Sequence, residues 1–206
     1  MPRIKAFDEQ AVLDKAVNLF WEKGFHATSM ADLVEHLGIN RASLYTTFGN
    51  KQKLFHRAFH QYLSTNIEAT QQLLTTEEDV RIGLRKLLRL AISQSVNDAK
   101  CRGCFVTNIA AELPAMEASM QTTKEDKTFV QDLKSSIQSN KSTFEQAFYN
   151  YLKKGVESGQ IEKGKNIDAI AALIYIYYNG LKVVAKVEQN EDALAATSEA
   201  LISLLD

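Results

Sequence analysis

The sequence predicts an all-α fold, and three observations carry that expectation. Hydrophobic residues make up 45% of 206 positions, enough to build a real core. Only two Pro and nine Gly interrupt the chain, while the helix formers Ala, Leu, Glu, Lys and Gln run throughout. Apolar residues recur three and four positions apart, the spacing of one helix face. The pattern resolves into about nine helices: an N-terminal three-helix head at residues 1–63 and a C-terminal helical bundle at 64–206.

Val12, Ala16, Leu19 and Phe20 define a first helix from about Asp8 to Lys23, with Gly24 as an expected left-handed cap. Met30, Leu33, Val34 and Leu37 define a second, with Ser29 placed to cap it and Asp32 three residues on. Gly38 ends it, and Asn40 caps a short helix, Arg41–Thr47. Gly49 breaks the chain, Asn50 caps, and Leu54, Phe55, Ala58, Phe59 and Tyr62 start a longer helix to about Leu74. Helix, tight turn and helix over about residues 29–48 form a helix-turn-helix.

Arg41–Thr47 is too short to hold itself together in water, so its neighbours must present it. Leu44 and Phe48, with part of Tyr45, dock it inward. Arg41, Ala42, Ser43, Thr46 and Thr47 face out, a small-residue surface able to enter the major groove of DNA. Arg41 suits a guanine edge, the hydroxyls suit phosphates or bases, and the methyls suit thymine. Lys51, beside a helix N-terminus, and the hydroxyls of Ser29 and Tyr45 suit phosphate oxygens. Residues 1–63 carry a net charge of +2 and all four His, against -3 for the remainder. That asymmetry points weakly to a polyanion at the head, and scattered surface charge explains it as well.

The stretch AVLDKAVNLFWEKGFHATSMADLVEHLGINRASLYTTFGNKQKLF resembles the TetR family of transcriptional regulators over about 50 residues. Its anchors are the Leu-Phe and Lys-Gly of the first helix, Ala27-Thr28-Ser29, Leu33, Gly38-Ile39, Leu44-Tyr45, Phe48, Lys51 and Leu54-Phe55. The resemblance implies a homodimer with a DNA-binding head and a ligand-binding, dimerising body. It places the recognition helix at Arg41–Thr47, capped by Asn40, and the phosphate contacts on Thr28 or Ser29, Tyr45 and Lys51. The partners it implies are a double-stranded operator and a small-molecule effector, and no cofactor is expected.

In the body, Thr76 is positioned to cap a helix marked by Val80, Leu84, Leu87, Leu88 and Ala91. CFVTNIAAEL reads as a short helix ending near Pro114, followed by a long helical region from Phe129 to Tyr151. Residues 167–187 are apolar all round: Ile167, Ile170, Ile174, Tyr177, Leu181 and Val184 on one side, Leu173, Ile176, Gly180, Val183 and Val187 on the other. Such a helix needs cover on both faces. A partner's copy supplies it if 167–187 and the amphipathic 191–205 form the dimer interface, and a monomer core is the rival reading. Phe105, Phe129, Phe144, Phe148, Tyr175 and Tyr178 are candidate pocket residues, although aromatics at helical spacing are commonly plain core.

Cys101 and Cys104 form a C-x-x-C that reads as a redox pair, half a zinc site or a small buried thiol. No second C-x-x-C or nearby His pair completes a zinc site. Arg102 and the following helix start would both lower a thiol pKa, and RGCFVTNIAAEL looks like a segment of one TetR subgroup, some members of which answer electrophiles through this cysteine, here Cys104. His56 and His60, four apart on one helix, can in principle hold a metal, but such pairs usually bind nothing. No nucleophile triad, phosphate-binding loop or metal cluster supports an enzyme. No stretch reaches the roughly 18 apolar residues of a membrane span, the N-terminus lacks a secretory h-region, and two cysteines fit a reduced cytoplasmic setting.

Overall fold

The computed structural model describes residues 7–206, and the reading of residues 1–6 lies outside them. Among the described residues are nine α-helices and no strand. They are α1 (Glu9–Lys23), α2 (Met30–Leu37), α3 (Arg41–Phe48), α4 (Lys51–Thr76), α5 (Val80–Val96), α6 (Phe105–Ser119), α7 (Lys124–Glu157), α8 (Ile167–Val184) and α9 (Glu191–Ile202). A single 3-10 turn, Ser203–Leu205, follows. The chain forms two compact units, Met1–Ser64 with Asn108–Ser136, and Thr65–Thr107 with Ile137–Asp206. The unit that holds α1–α3 therefore also takes a stretch that the sequence reading places in the C-terminal bundle.

Unit one is built on aromatic contacts. Phe20 and Phe25 meet Phe55 edge to face at 5.0 and 5.1 Å, and Phe129 of α7 lies 4.9 Å from Phe25. Side-chain caps set the helix starts: the Asp8 carboxylate accepts from the N–H groups of Gln10 and Ala11, and the Asn40 amide oxygen accepts from Ser43. Caps of this kind are worth about 1 kcal/mol each. Gly24 ends α1 at φ 78°, ψ 178°, so it is a positive-φ stop but not the left-handed cap expected. Gly38, at φ 70°, ψ 26°, is left-handed.

Unit two packs α5 against α8 and α9. Leu84, Leu87, Leu88 and Ala91 meet Phe144, Phe148, Tyr151, Ile174, Tyr178, Leu201 and Ile202 in one buried core. The Tyr151 hydroxyl donates to the carbonyls of Glu77 and Asp79, and burial pushes its pKa up to about 12. Gly83 makes room for it, since a Cβ there would lie 1.9 Å from that hydroxyl. Arg81 holds the chain end through Asp206 and the Leu205 carbonyl, while Arg85 makes a two-pronged pair with Glu199.

Three expectations need correction. Thr76 is the last residue of α4, and the cap of α5 is Asp79, whose carboxylate accepts from the Ile82 N–H. Helix α6 runs through Pro114 to Ser119. The proline leaves the carbonyl of residue 110 without its usual donor, and Ala110 is exposed, so water can serve it. Helix α8 is, by length and composition, long and apolar enough to cross a membrane. It buries Asn179 and Lys182 beside Ile174 and Leu181 in unit two, while Leu173, Ile176, Val183 and Val184 stay exposed.

Candidate nucleic-acid interface

The α2–α3 pair is presented by buried anchors. Leu33 and Leu37 of α2 and Leu44 and Phe48 of α3 are all within 3% of full burial, so their opposite sides are left to solvent. On that side Asn40, Arg41, Ala42, Tyr45 and Thr46 are exposed, and Ser43 and Thr47 are partly so. Tyr45 is 44% exposed, further out than the sequence suggests, and the Arg41 guanidinium lies 5.7 Å from its ring. No carboxylate neutralises Arg41 among the described residues. The Thr46 hydroxyl donates back to the Ala42 carbonyl at 2.8 Å.

Ser29 and Asp32 form a capping box at the start of α2. The Ser29 hydroxyl oxygen accepts from the Asp32 N–H, and the Asp32 carboxylate accepts from the Ser29 N–H at 2.8 Å. Lys23 pairs with Asp32 at 2.6 Å, and its hydrogen bond, with those from Ser29, holds the Asp32 carboxyl far below the usual range. Lys51 stands at the first position of α4 with its ammonium 4.3 Å from the Phe25 ring. Partial burial lowers its pKa, an effect that the nearby charges of Glu112 and Asp32 oppose.

Thr28 does not join this surface. It is fully buried, and its hydroxyl donates to the Gly24 carbonyl at 2.6 Å, so it pins the α1–α2 turn instead of facing outward. Glu112 of α6 holds the same turn, a residue that no sequence pattern marks. Its carboxylate accepts from the N–H groups of Phe25 and His26. Gly24 admits that carboxylate: a Cβ there would sit 1.9 Å from it.

The predicted pocket aromatics do not form one set. Phe129 belongs to unit one, where it packs on Phe25 and Phe55. Phe144, Phe148, Tyr175 and Tyr178 gather in unit two with ring centroids 5.9 to 6.5 Å apart. Phe105 is fully buried at the head of α6. Of these residues Tyr178 lines a cavity of about 170 Å³ in unit two, with Thr65, Thr70, Leu73, Leu87 and Leu90 of α4 and α5, and Phe129 lines one of about 670 Å³ in unit one.

Cys104 is buried and its thiol lies 3.2 Å from the Asn179 side-chain oxygen, whereas Cys101 is exposed. Both are free thiols. Arg102 is not directed at either as a lone charge, because its guanidinium pairs with Asp98 at 3.1 Å. Lys182 is 8% exposed, and its ammonium sits 3.8 Å from the Tyr178 ring. The His56 and His60 rings are 4.2 Å apart, and the second His lies 3.1 Å from the Ser136 hydroxyl. No group of three or more His, Cys, Asp and Glu is gathered for a metal among the described residues.

Residues 12–58 match the family model described as bacterial regulatory proteins, tetR family. The chain is 28% identical to the HTH-type transcriptional regulator YezE of Bacillus subtilis over all of both proteins. It is 27% identical to the HTH-type transcriptional repressor ComR of Escherichia coli, over 89% of this chain and 82% of that one. Among solved structures, a cysteine mutant of the TetR family transcriptional regulator CifR, complexed with 26-base-pair operator DNA, superposes with a TM-score of 0.80. That match is 25% identical and covers 99% of this chain and 100% of the other.

Proposed function

We propose, from the premise that the chain belongs to the tetR family of bacterial regulatory proteins, that it is a repressor binding a palindromic operator as a homodimer. Residues 1–63 are the DNA-binding part and 64–206 the regulatory part, and the protein works in the cytoplasm. The observation that carries this reading is α3: a short helix anchored by Leu44 and Phe48, turning an unpaired Arg41 and small residues to solvent. Arg41 reads a base edge, and Ser29, Tyr45 and Lys51 hold phosphates. Two such helices engage half-sites roughly 34–36 Å apart, or a multiple of that spacing.

The partner contact runs along α8 and α9. Leu173, Ile176, Val183, Val184 and Leu204 are 40–62% exposed, an apolar face that a single chain leaves uncovered. A small molecule held in unit two, against Tyr178 and the α4–α5 surface, then changes the separation of the heads. Operator affinity falls because both can no longer dock together. The test is selection of genomic fragments on the purified protein followed by footprinting. A short palindrome protected by the wild type and lost in Arg41→Ala supports the reading. An enriched site indifferent to Arg41 rejects the assignment of α3.

A second reading has its own support: Cys104 immediately precedes α6, the helix whose Glu112 holds the α1–α2 turn. Covalent modification of that buried thiol would move α6 in place of a reversible ligand. Cys104→Ser separates the two, since it abolishes the response to electrophiles under a thiol switch and spares it under packing.

A further inference from the structure

The cavity of about 170 Å³ in unit two has apolar walls from Leu73 of α4 and from Leu87 and Ala91 of α5, with Tyr178 of α8 beside them. No Asp, Glu, Lys or Arg lines it among the described residues. A charged group brought into it would lose its hydration and find no opposite charge in exchange, so the wall selects neutral molecules. Size selects as well, since a cavity of roughly 150 Å³ with aliphatic walls takes a single six-membered ring. Thr65, Ala69, Leu90 and Gln94 of the lining are exposed, which gives a ligand its way in.

Two hydroxyls give this apolar space a direction. Thr70 of α4 is 2% exposed, yet its hydroxyl makes no hydrogen bond among the described residues. Thr75 of the same helix and Thr143 of α7 instead return theirs to the carbonyl four residues back, at 2.7 and 2.9 Å. The Thr70 oxygen is not sealed inside the protein, so the cavity that it lines is where it opens. A buried hydroxyl without a partner is unfavourable, and an acceptor in the cavity would relieve it. Tyr178, 7% exposed, is placed alike. Its ring is engaged by the Lys182 ammonium at 3.8 Å and the Phe144 ring at 5.9 Å. Its hydroxyl has no partner among the described residues, whereas that of Tyr177 has Thr197 and Ser198 at 2.7 and 2.9 Å.

We infer that this cavity binds a small neutral ketone, about one six-membered ring in size, whose oxygen accepts from the Thr70 and Tyr178 hydroxyls. A carbonyl oxygen has two lone pairs and no donor of its own, which suits two hydroxyls that both lack an acceptor. Leu73, Leu87 and Ala91 enclose the hydrocarbon part. The assignment names the ligand class of the effector site proposed above, and it rests on that reading of unit two.

The experiment is calorimetric titration of the full-length protein with three probes. They are cyclohexanone, methylenecyclohexane, which puts CH2 in place of the oxygen, and cyclohexanecarboxylate. The wild type is expected to bind the ketone and to reject the carboxylate. Thr70→Val removes the hydroxyl and keeps the shape, and it should weaken the ketone about fivefold relative to the hydrocarbon. Tyr178→Phe should do the same. Because the two ligands share a shape, their ratio is insensitive to any general loosening of the cavity. Operator affinity measured with and without the ketone keeps the two readings apart. Ketone binding that depends on Thr70, at unchanged operator affinity, supports the ligand assignment and rejects control through this site. A wild type that does not bind the ketone, that binds the carboxylate equally well, or whose ketone-to-hydrocarbon ratio survives either substitution overturns the inference.

Discussion

The Glu112 carboxylate accepts hydrogen bonds from the backbone N–H groups of Phe25 and His26, at 3.1 and 3.2 Å, from 87 and 86 residues further along the chain. Hydrogen bonds to a charged acceptor contribute roughly 1.5–3 kcal/mol each when the donors would otherwise be left dry. Here one donor is half-buried and the other exposed, so the sum is smaller. Glu112→Ala is expected to cost about 1–2 kcal/mol in urea unfolding. Glu112→Gln, which keeps an acceptor oxygen, should cost less. Equal stability of all three proteins would show that water serves that turn equally well.

Removing Arg41 should weaken operator binding by about 1–3 kcal/mol and relax the base preference at one position of each half-site. Lys51→Gln, by contrast, should weaken binding to all sequences alike and reduce the salt slope by about one per head. Fluorescence anisotropy across a series of salt concentrations and single-base operator variants checks both. If Arg41→Ala altered only the salt slope, the residue would be a phosphate contact.

Asp32 ties the stability of the α2 start to pH. Its folded carboxyl is held below the usual range by Lys23 and Ser29, so the unfolded chain takes up the proton first. The stabilisation is therefore complete above the ordinary carboxylate range and is lost as pH falls through the folded value. Urea midpoints measured from about pH 6 down to pH 3 should decline, and Asp32→Asn should start lower and decline less. Parallel curves for the two proteins would mean that the Asp32 pair contributes nothing on folding.

Ile176 is 62% exposed in the middle of the apolar α8 face. Ile176→Glu places a charge where a partner's copy would have to bury it, at a cost of several kcal/mol. The variant should elute at the mass of one chain and lose operator affinity by orders of magnitude, because each head would bind alone. Retention of a dimer would move the interface elsewhere.

Local signals carried the head. Asp8, Ser29, Asn40 and Asn50 are each short polar side chains placed just before an apolar period, and each caps its helix. The misreadings come from what periodicity omits. Pro114 interrupts a pattern, yet a helix tolerates it where the orphaned carbonyl meets water. Thr28 looks like a surface hydroxyl in sequence, and only its bond to Gly24 shows it is inside. Phe129 and Phe144 follow one period along a 34-residue helix, yet they enter different cores. Period says which face a residue occupies and not which core that stretch of helix enters. The Glu112 contact has no local signature, since its partners are backbone groups far away in the chain.

The division of the chain into units also has a consequence for synthesis. The unit that holds α1–α3 draws on Asn108–Ser136, so its aromatic core stays incomplete until the ribosome has delivered Phe129. A nascent chain of the first 64 residues exposes the edges of Phe25 and Phe55 and lacks the carboxylate that closes its first turn. Translation thus runs ahead of tertiary closure, and the half-made head is the species that a chaperone would meet.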